Sequence, residues 1–112
     1  METLKKNKEF NLVYNQGKSI ASKYLVLYYY NKNDTDQIKA GFSISKRIGK
    51  AVVRNKLRRR LKEIIRDEED NLKKGYNIIF IARKPVINLD FHKIKKDVKK
   101  LFKKADLYVV GN

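Results

Sequence analysis

The sequence predicts a small α+β domain, because segments with the period of a helix alternate with segments that have the composition of a strand. Residues 24–30 are rich in tyrosine and aliphatic side chains, which favours a strand. From Ala51 the apolar positions recur at helical spacing, and residues 76–82 are again almost wholly apolar. The chain has 112 residues and no change of composition that would mark a linker, so we expect one domain over residues 1–112.

The first predicted element is a short helix over residues 8–16. Asn7 is a suitable N-cap residue, and Gly17 suits a helix end because glycine tolerates a positive φ. Three apolar side chains share one face of this helix at helical spacing: Phe10, Val13 and Tyr14. Leu12 points elsewhere, so the helix carries apolar groups in two directions.

Two strands are predicted next, over residues 24–30 and 38–45, joined by a polar turn at residues 31–37; residues 18–21 add a short edge strand. Since side chains alternate along a strand, each strand has one mainly aliphatic face. The aliphatic faces carry Leu25, Leu27, Tyr29, Ala40, Phe42 and Ile44. The opposite faces carry Tyr24, Val26, Tyr28, Tyr30, Gly41, Ser43 and Ser45. We expect the aliphatic faces to meet the core and the opposite faces to meet solvent or a ligand.

The second half of the chain predicts a long helix followed by a buried strand. The helix is expected over residues 51–67, and its apolar stripe is formed by Val53, Leu57, Leu61 and Ile64. Gly75 marks the turn before the strand at residues 76–82, which is apolar enough to be buried on both faces. Pro85 ends the strand because proline lacks the N–H that a sheet requires.

The last helix is predicted over residues 91–104, with Asp90 as its N-cap. Five apolar side chains face inward at helical spacing: Phe91, Ile94, Val98, Leu101 and Phe102. The rest of the helix surface is rich in lysine. Residues 105–112 carry no comparable pattern and are expected to form a tail.

Composition and charge indicate a binding protein for polyanions. Lysine and arginine total 28 against 12 acidic residues, which gives a formal net charge of +16 and a pI near 10.1. The longest apolar run, residues 78–82, is far shorter than the roughly 20 residues of a membrane-spanning helix. The chain has no cysteine and a single histidine, His92, which argues against a zinc site and favours a cytoplasmic location.

The positive charge is most concentrated in residues 45–63, which read SKRIGKAVVRNKLRRRLKE. Five cations and one amide fall on the helix arc opposite Val53: Arg54, Asn55, Arg58, Arg59, Lys62 and Arg66. Like charges four residues apart repel by a few tenths of a kcal/mol per pair, and no carboxylate separates them before Glu63. Contact with a phosphate backbone relieves this repulsion better than a solvated surface does. The helix N-terminus after Gly49 and Lys50 can also receive an anion.

These residues carry a resemblance to a known family. The run RNKLRRRLKE after SISKRIGKAVV is similar to the RNR motif of bacterial ribonuclease P proteins. The segments LKKNKEF, the tyrosine-rich strand, IIFIARKP and a lysine-rich last helix follow in the family's order over about residues 4–108. Lys56 and Lys62 stand where the family commonly has arginine, which keeps the positive charge but loses the bidentate geometry.

The resemblance implies an αβββαβα fold with a mixed four-stranded sheet, like the second domain of ribosomal protein S5. It also implies a left-handed crossover through the RNR helix, whereas about 98% of parallel crossovers are right-handed. It implies a protein subunit that assists a catalytic RNA in removing the 5′ leader from precursor tRNA. The expected partners are that RNA and precursor tRNA, with Mg²⁺ required through the RNA, no cofactor held tightly by the protein, and a monomer outside the holoenzyme. The implied RNA-binding residues are Arg54, Asn55, Lys56, Arg58, Arg59, Lys62 and Arg66.

A second RNA-binding surface is implied where the first helix meets the polar face of the sheet. Exposed aromatic rings beside cations form a platform on which single-stranded bases stack. The residues assigned to this leader-binding cleft are Phe10, Tyr14, Tyr28, Ser43, Ser45, Lys46, Arg47 and Arg83. Periodicity alone favours ordinary packing of the helix on the sheet for these rings. The resemblance instead favours binding of the 5′ leader of precursor tRNA by these rings.

No arrangement of side chains in the sequence predicts catalysis by the protein itself. We find no nucleophile beside a base, no spaced carboxylate pair and no histidine cluster. The acidic residues 67–70 are adjacent and do not share a helix face, so a solvated helix end is expected there. Two alternatives stay open: a basic ribosomal or ribosome-associated protein, and a metal-dependent nuclease that acts without RNA. Association with a large RNA that cleaves precursor tRNA distinguishes the first expectation from both.

Overall fold

The computed structural model describes residues 1–33 and 36–109 as three helices around one sheet. The strands are β1 (Glu2–Thr3), β2 (Lys18–Ala21), β3 (Leu25–Asn31), β4 (Lys39–Ser43) and β5 (Tyr76–Ala82). The helices are α1 (Asn7–Gln16), α2 (Ala51–Glu68) and α3 (Phe91–Lys104). Short 3₁₀ turns lie at Lys46–Ile48, Glu69–Asn71 and Lys84–Asn88. In the part of the chain that is described, no helix has the length and apolar character needed to span a membrane.

The sheet is mixed and has five strands in the order β1-β4-β5-β3-β2. Four strands were predicted; the fifth, which the prediction missed, is the edge strand β1. β1 runs parallel to β4, and just after it Leu4 N donates a hydrogen bond to Ala40 O at 2.9 Å. Glu2 and Thr3 are too few and too polar to show a strand pattern. The two strands joined by the polar turn, β3 and β4, do not pair with each other, because β5 lies between them. α2 therefore crosses over between two parallel neighbours, β4 and β5.

The main core lies between one face of the sheet and the helices α2 and α3. The helices contribute Leu57, Leu61, Ile64, Ile65, Ile94, Val98, Leu101 and Phe102, all buried. The sheet contributes Leu25, Leu27, Ala40, Ile78 and Phe80. The rings of Phe80 and Phe102 meet edge to face at 5.6 Å between centroids. Burial of these aliphatic and aromatic groups, each stabilising by about 1.5–3 kcal/mol when complete, fixes both helices on the sheet.

The predicted helices of the second half are largely confirmed. α3 has the predicted bounds, and its N-cap Asp90 accepts a hydrogen bond from Lys93 N at 2.9 Å. In α2, however, Val53 is 41% exposed and is not part of the buried apolar stripe. Ile65, which was not predicted, is buried in that stripe. Tyr24 was assigned to the polar face of its strand, but it lies before β3 and packs against the main core.

α1 ends at Gln16 as predicted, but it begins one residue earlier, and the reason for glycine at position 17 differs from the prediction. Asn7 is its first residue and not its cap; the Glu9 carboxylate accepts from Lys5 N and Lys6 N at 3.4 and 3.3 Å. Gly17 has a φ of −85°, so positive φ is not what requires glycine there. The reason is space, because a Cβ at Gly17 would lie 2.5 Å from Val13 O and 2.6 Å from Tyr29 O. Gly17 thus lets the end of α1 lie directly on β3.

The segment predicted as a tail packs against the core as far as Tyr108. Leu107 is only 2% exposed, and its carbonyl accepts from Lys73 N at 2.8 Å. Tyr108 forms a β-bridge with Leu72 and donates a hydrogen bond to Glu68 Oε1 at 2.7 Å. Burial, followed by this hydrogen bond, raises the pKa of the Tyr108 phenol. Two separated apolar residues give no periodic signal, which is why the sequence does not reveal the packing; residues 110–112 lie outside the described residues.

Truncation of Leu107 tests whether this segment belongs to the core. Leu107→Ala should lower the free energy of unfolding by about 2–5 kcal/mol, the usual range for a fully buried leucine. Val109→Ala is the matched control, since Val109 is 58% exposed and should change stability by less than about 0.5 kcal/mol. Urea unfolding of both variants measures the difference. Equal stabilities would mean that residues 105–109 form a tail after all.

Candidate nucleic-acid interface

The second face of the sheet is only partly covered, by the short helix α1. Under α1 lies a small cluster in which Leu4, Val13 and Ile79 are buried. Around it four aromatic side chains and one isoleucine are half-buried: Phe10, Tyr14, Tyr28, Tyr30 and Ile81. The Tyr14 and Tyr28 rings meet edge to face at 5.0 Å, and the Phe10 and Tyr14 rings are tilted at 6.3 Å. Of the three aromatic side chains predicted for the cleft, Tyr14 therefore contacts the other two, and all three still reach the surface.

The register of the sheet shows how these rings are positioned. Gly41, Ile79 and Tyr28 lie in one row across β4, β5 and β3. A Cβ at Gly41 would lie 2.7 Å from Phe10 Cζ, so glycine leaves the space into which the ring of Phe10 fits. The next row on this face consists of Ser43, Ile81 and Val26, all half-buried. We call the surface formed by Phe10, Tyr14, Tyr28 and Ser43 the aromatic cleft.

Tyr14 lies in a partly apolar environment within the aromatic cleft. Burial raises the pKa of the Tyr14 phenol, the Ser43 hydroxyl opposes that rise by hydrogen bonding, and the nearby Tyr28 adds to it. The Tyr14 hydroxyl is thus a neutral hydrogen-bond donor at physiological pH. A neutral donor next to aromatic faces suits a nucleobase or a sugar better than it suits a cation.

Cationic residues lie at one end of the aromatic cleft. Ser45, Lys46 and Arg47 follow the end of β4 and are exposed. Arg83 follows the end of the parallel strand β5, so all four residues lie at the same edge of the sheet. The Arg83 guanidinium is turned toward the β2–β3 turn, where Nη1 donates to Ser22 O at 3.0 Å. This hydrogen bond holds the Arg83 side chain near the ends of β4 and β5.

One side of α2 carries the predicted cluster of cations. We call the surface of Arg54, Asn55, Arg58, Arg59, Lys62 and Arg66 the basic face. Arg58 Nη1 donates to Asn55 Oδ1 at 2.9 Å, so the amide holds one guanidinium in place. Within residues 1–33 and 36–109, no lysine or arginine of α2 lies within 4.0 Å of a carboxylate. Arg54 Nε is buried without a hydrogen-bond partner, which leaves this guanidinium poorly compensated.

Lys56 does not lie on the basic face. Its side chain lines a cavity on the other flank of α2, together with Arg60, Val53 and Ile87. Helical spacing explains the separation, because Lys56 and Arg60 are four residues apart and lie across the buried Leu57 from Arg54 and Arg58. Arg60 was absent from the predicted set, although its spacing from Lys56 was visible in the sequence.

Two of the acidic residues that follow the basic face form contacts with other elements of the protein. Asp67 Oδ2 lies 3.3 Å from Lys95 Nζ, which ties α2 to α3. Glu68, expected to be solvated, is buried and accepts from Tyr108. Among the residues with described positions, no three or more histidine, cysteine or acidic side chains are grouped so as to hold a metal ion.

Comparison with known proteins identifies the family to which this chain belongs. A family model described as Ribonuclease P matches residues 1–106. The chain belongs to the ribonuclease P protein family. Its resemblance to that family, inferred from the RNR-like segment, is thereby confirmed, and the chain is the protein subunit of a ribonucleoprotein endoribonuclease. Neither the ribosomal alternative nor the RNA-independent nuclease is supported by these matches.

Individual relatives and solved structures agree with the ribonuclease P assignment. The chain is 45% identical to the ribonuclease P protein component of Caldanaerobacter subterraneus over 94% of this chain and 90% of the relative. It is 44% identical to that of Clostridioides difficile over 95% and 93%. The RNase P protein structure from Staphylococcus aureus matches with a TM-score of 0.90 at 30% identity, over 96% and 98% of the two chains. That from Thermotoga maritima matches with a TM-score of 0.83 at 31% identity, over 93% and 97%.

The close contact at Gly17 is a test of how the aromatic cleft is held together. Gly17→Ala should lower the free energy of unfolding by about 1–3 kcal/mol, because the added methyl group must push α1 away from β3. It should also change the chemical shifts of the Tyr14 and Tyr28 rings. Asn15→Ala, an exposed substitution in the same turn of α1, is the control. Wild-type stability and ring shifts in Gly17→Ala would contradict the packing described here.

Proposed function

We propose that this ribonuclease P protein grips the catalytic RNA through the basic face and holds the 5′ leader of precursor tRNA in the aromatic cleft. The observation that carries the proposal is the short connection between the two surfaces. Residues 44–50 lead directly from the end of β4 at the cleft to the first turn of α2, with exposed Lys46 and Arg47 on the way. Two RNA segments bound on these surfaces would therefore lie next to each other.

Electrostatics support the assignment of the catalytic RNA to the basic face. The cations of α2 have no carboxylate partners within the described residues, so their mutual repulsion is unrelieved in the free protein. An RNA backbone supplies one negative charge per nucleotide, and arginine meets phosphate oxygens with two parallel N–H donors. The first turn of α2 adds free backbone N–H groups, because Lys50 provides no side-chain cap and no acidic residue occupies that turn.

Half-burial of the rings supports the assignment of the leader to the aromatic cleft. Tyr14 packs on Phe10 and on Tyr28, yet all three side chains are only half-buried. A base stacked on such a ring contributes about 1–3 kcal/mol with little sequence preference. This suits a leader, which differs between precursor tRNAs. Ser43, Ser45 and Lys46 would meet the sugar and phosphate groups of the same strand.

The chemical step, in this proposal, belongs to the RNA. Mg²⁺ ions bound by the catalytic RNA would activate the attacking water, and the protein would position the leader and screen the charge between two RNA molecules. Subunit and substrate are expected to meet in the cytoplasm, with the protein a monomer before it joins the RNA. The whole chain, residues 1–112, would act as one domain in this role.

The basic face is tested by the salt dependence of RNA binding. Arg54→Ala and Arg59→Ala should each weaken binding of the catalytic RNA and reduce the slope of log K against log salt by about 0.7–0.9 per lost phosphate contact. Lys100→Ala and Lys104→Ala remove the same charge from the exposed side of α3 and serve as controls. Filter-binding or fluorescence titrations at several salt concentrations give the slopes. Folded Arg54 and Arg59 variants with the wild-type slope would remove the basic face from the interface.

The aromatic cleft is tested by comparing two substrates. Phe10→Ala and Tyr28→Ala should weaken binding of precursor tRNA to the reconstituted holoenzyme by about 1–3 kcal/mol per lost stack, because each removes a surface for a base. Affinity for mature tRNA, which lacks a leader, should hardly change. Thermal unfolding is measured alongside, since loss of a core ring costs about 3–5 kcal/mol of stability. If affinity for both tRNAs fell equally and the protein were destabilised, the rings would have a packing role only.

A further inference from the structure

An apolar cavity opens on the flank of α2 that faces away from the basic face. It has a volume of about 330 Å³ and lies between the start of α2 and the 3₁₀ turn Lys84–Asn88. Val52, Val53 and Ile87 line it and are 78%, 41% and 45% exposed. Among the described residues these are three of the four large apolar side chains that are exposed, the fourth being Val109. Exposed aliphatic groups that converge on one cavity indicate a binding site more than scattered ones do.

The walls of this cavity are held rigidly. Leu57 and Val86, at its base, belong to the main core. The turn that carries Ile87 is closed by two backbone hydrogen bonds, Val86 N to Arg83 O at 2.9 Å and Leu89 N to Val86 O at 3.1 Å. A cavity between a helix and a hydrogen-bonded turn keeps its shape, so an occupant would find it largely preformed.

Charge at the rim indicates the chemistry of the occupant. Lys56 and Arg60 stand one helical turn apart beside the cavity, and neither pairs with a carboxylate in the described part of the chain. An apolar segment of a protein would cover Val52 and Ile87 but would leave this repulsion unrelieved unless it also carried acidic groups. A nucleotide brings a flat, largely apolar base and a negative phosphate in one unit, which matches the cavity and its rim together.

We propose that an unpaired nucleotide of the partner RNA inserts its base into this cavity, with its flanking phosphates on Lys56 and Arg60. The inference rests on the proposed function, since it assumes that α2 binds RNA. It adds a second contact of a different kind on the same helix, because the side chains that define the basic face are all charged or polar. α2 would then be held on both flanks, by phosphates on one and by a buried base on the other.

Substitutions that alter the cavity without touching the basic face test this inference. Ile87→Ser and Val52→Ser should each weaken binding of the catalytic RNA by about tenfold, because each replaces apolar contact with the base by a polar hydroxyl, and should leave the salt slope unchanged. Lys56→Ala and Arg60→Ala should instead lower the slope, by about 0.7–0.9 each. Val109→Ser, at the exposed valine outside the cavity, is the matched control and should bind like the wild type. Chemical probing should show one RNA base that the wild type protects and Ile87→Ser leaves reactive.

Each outcome separates the cavity from the rest of the interface. Wild-type affinity and protection in Ile87→Ser and Val52→Ser, with Arg59→Ala still impaired, would overturn this inference and leave the proposed function standing. Unchanged RNA binding together with loss of self-association of the holoenzyme would also overturn it and assign the cavity to a protein contact. Failure of the wild-type protein to bind the catalytic RNA at all would overturn both. Circular dichroism of each variant confirms that the protein is folded.

Discussion

β5 is buried on both of its faces, and this burial decides how the helices are arranged around the sheet. Ile78 and Phe80 point into the main core, and Ile79 between them points into the cluster under α1. A central strand with two apolar faces requires a covering layer on each side of the sheet. α2 and α3 supply a full layer on one side. α1 has only ten residues and covers part of the other, so the row of Ser43, Ile81 and Val26 stays half open.

The same central strand determines where the basic helix begins. β4 is parallel to β5, and a parallel pair cannot be joined by a tight turn, so the chain must return from the end of β4 to the start of β5 by a long crossover, here through a helix. That helix is α2, and its first turn therefore lies near the sheet edge at which the aromatic cleft ends. The proximity of the two candidate RNA surfaces is thus a consequence of the sheet topology. Neither surface could move without changing the connection between β4 and β5.

The sequence predicted the elements that have many apolar residues in a clear pattern, and it missed those that depend on single contacts. The bounds of α3 and β5 were predicted correctly, because α3 has five apolar side chains at helical spacing and β5 is a nearly continuous apolar run. The edge strand β1 was missed because two polar residues have no period. Leu107 was missed because one buried leucine outside a repeat gives no signal. The pairing of β4 with β5 in place of β3 could not be predicted, since alternation fixes the faces of a strand and not its neighbour.

The candidate site was predictable to a similar degree. Helical and strand spacing correctly brought Phe10, Tyr14 and Tyr28 together, but could not decide between a packed cluster and a ligand surface. In the structure the rings are packed and yet half-buried, and this combination has a physical use in the proposed function. A ring held by its neighbours has already lost most of its freedom, so a base that stacks on it does not have to order it. In the proposed function, partial burial would therefore make the aromatic cleft a better platform for single-stranded RNA than fully exposed rings, and α1 is the element that provides this burial.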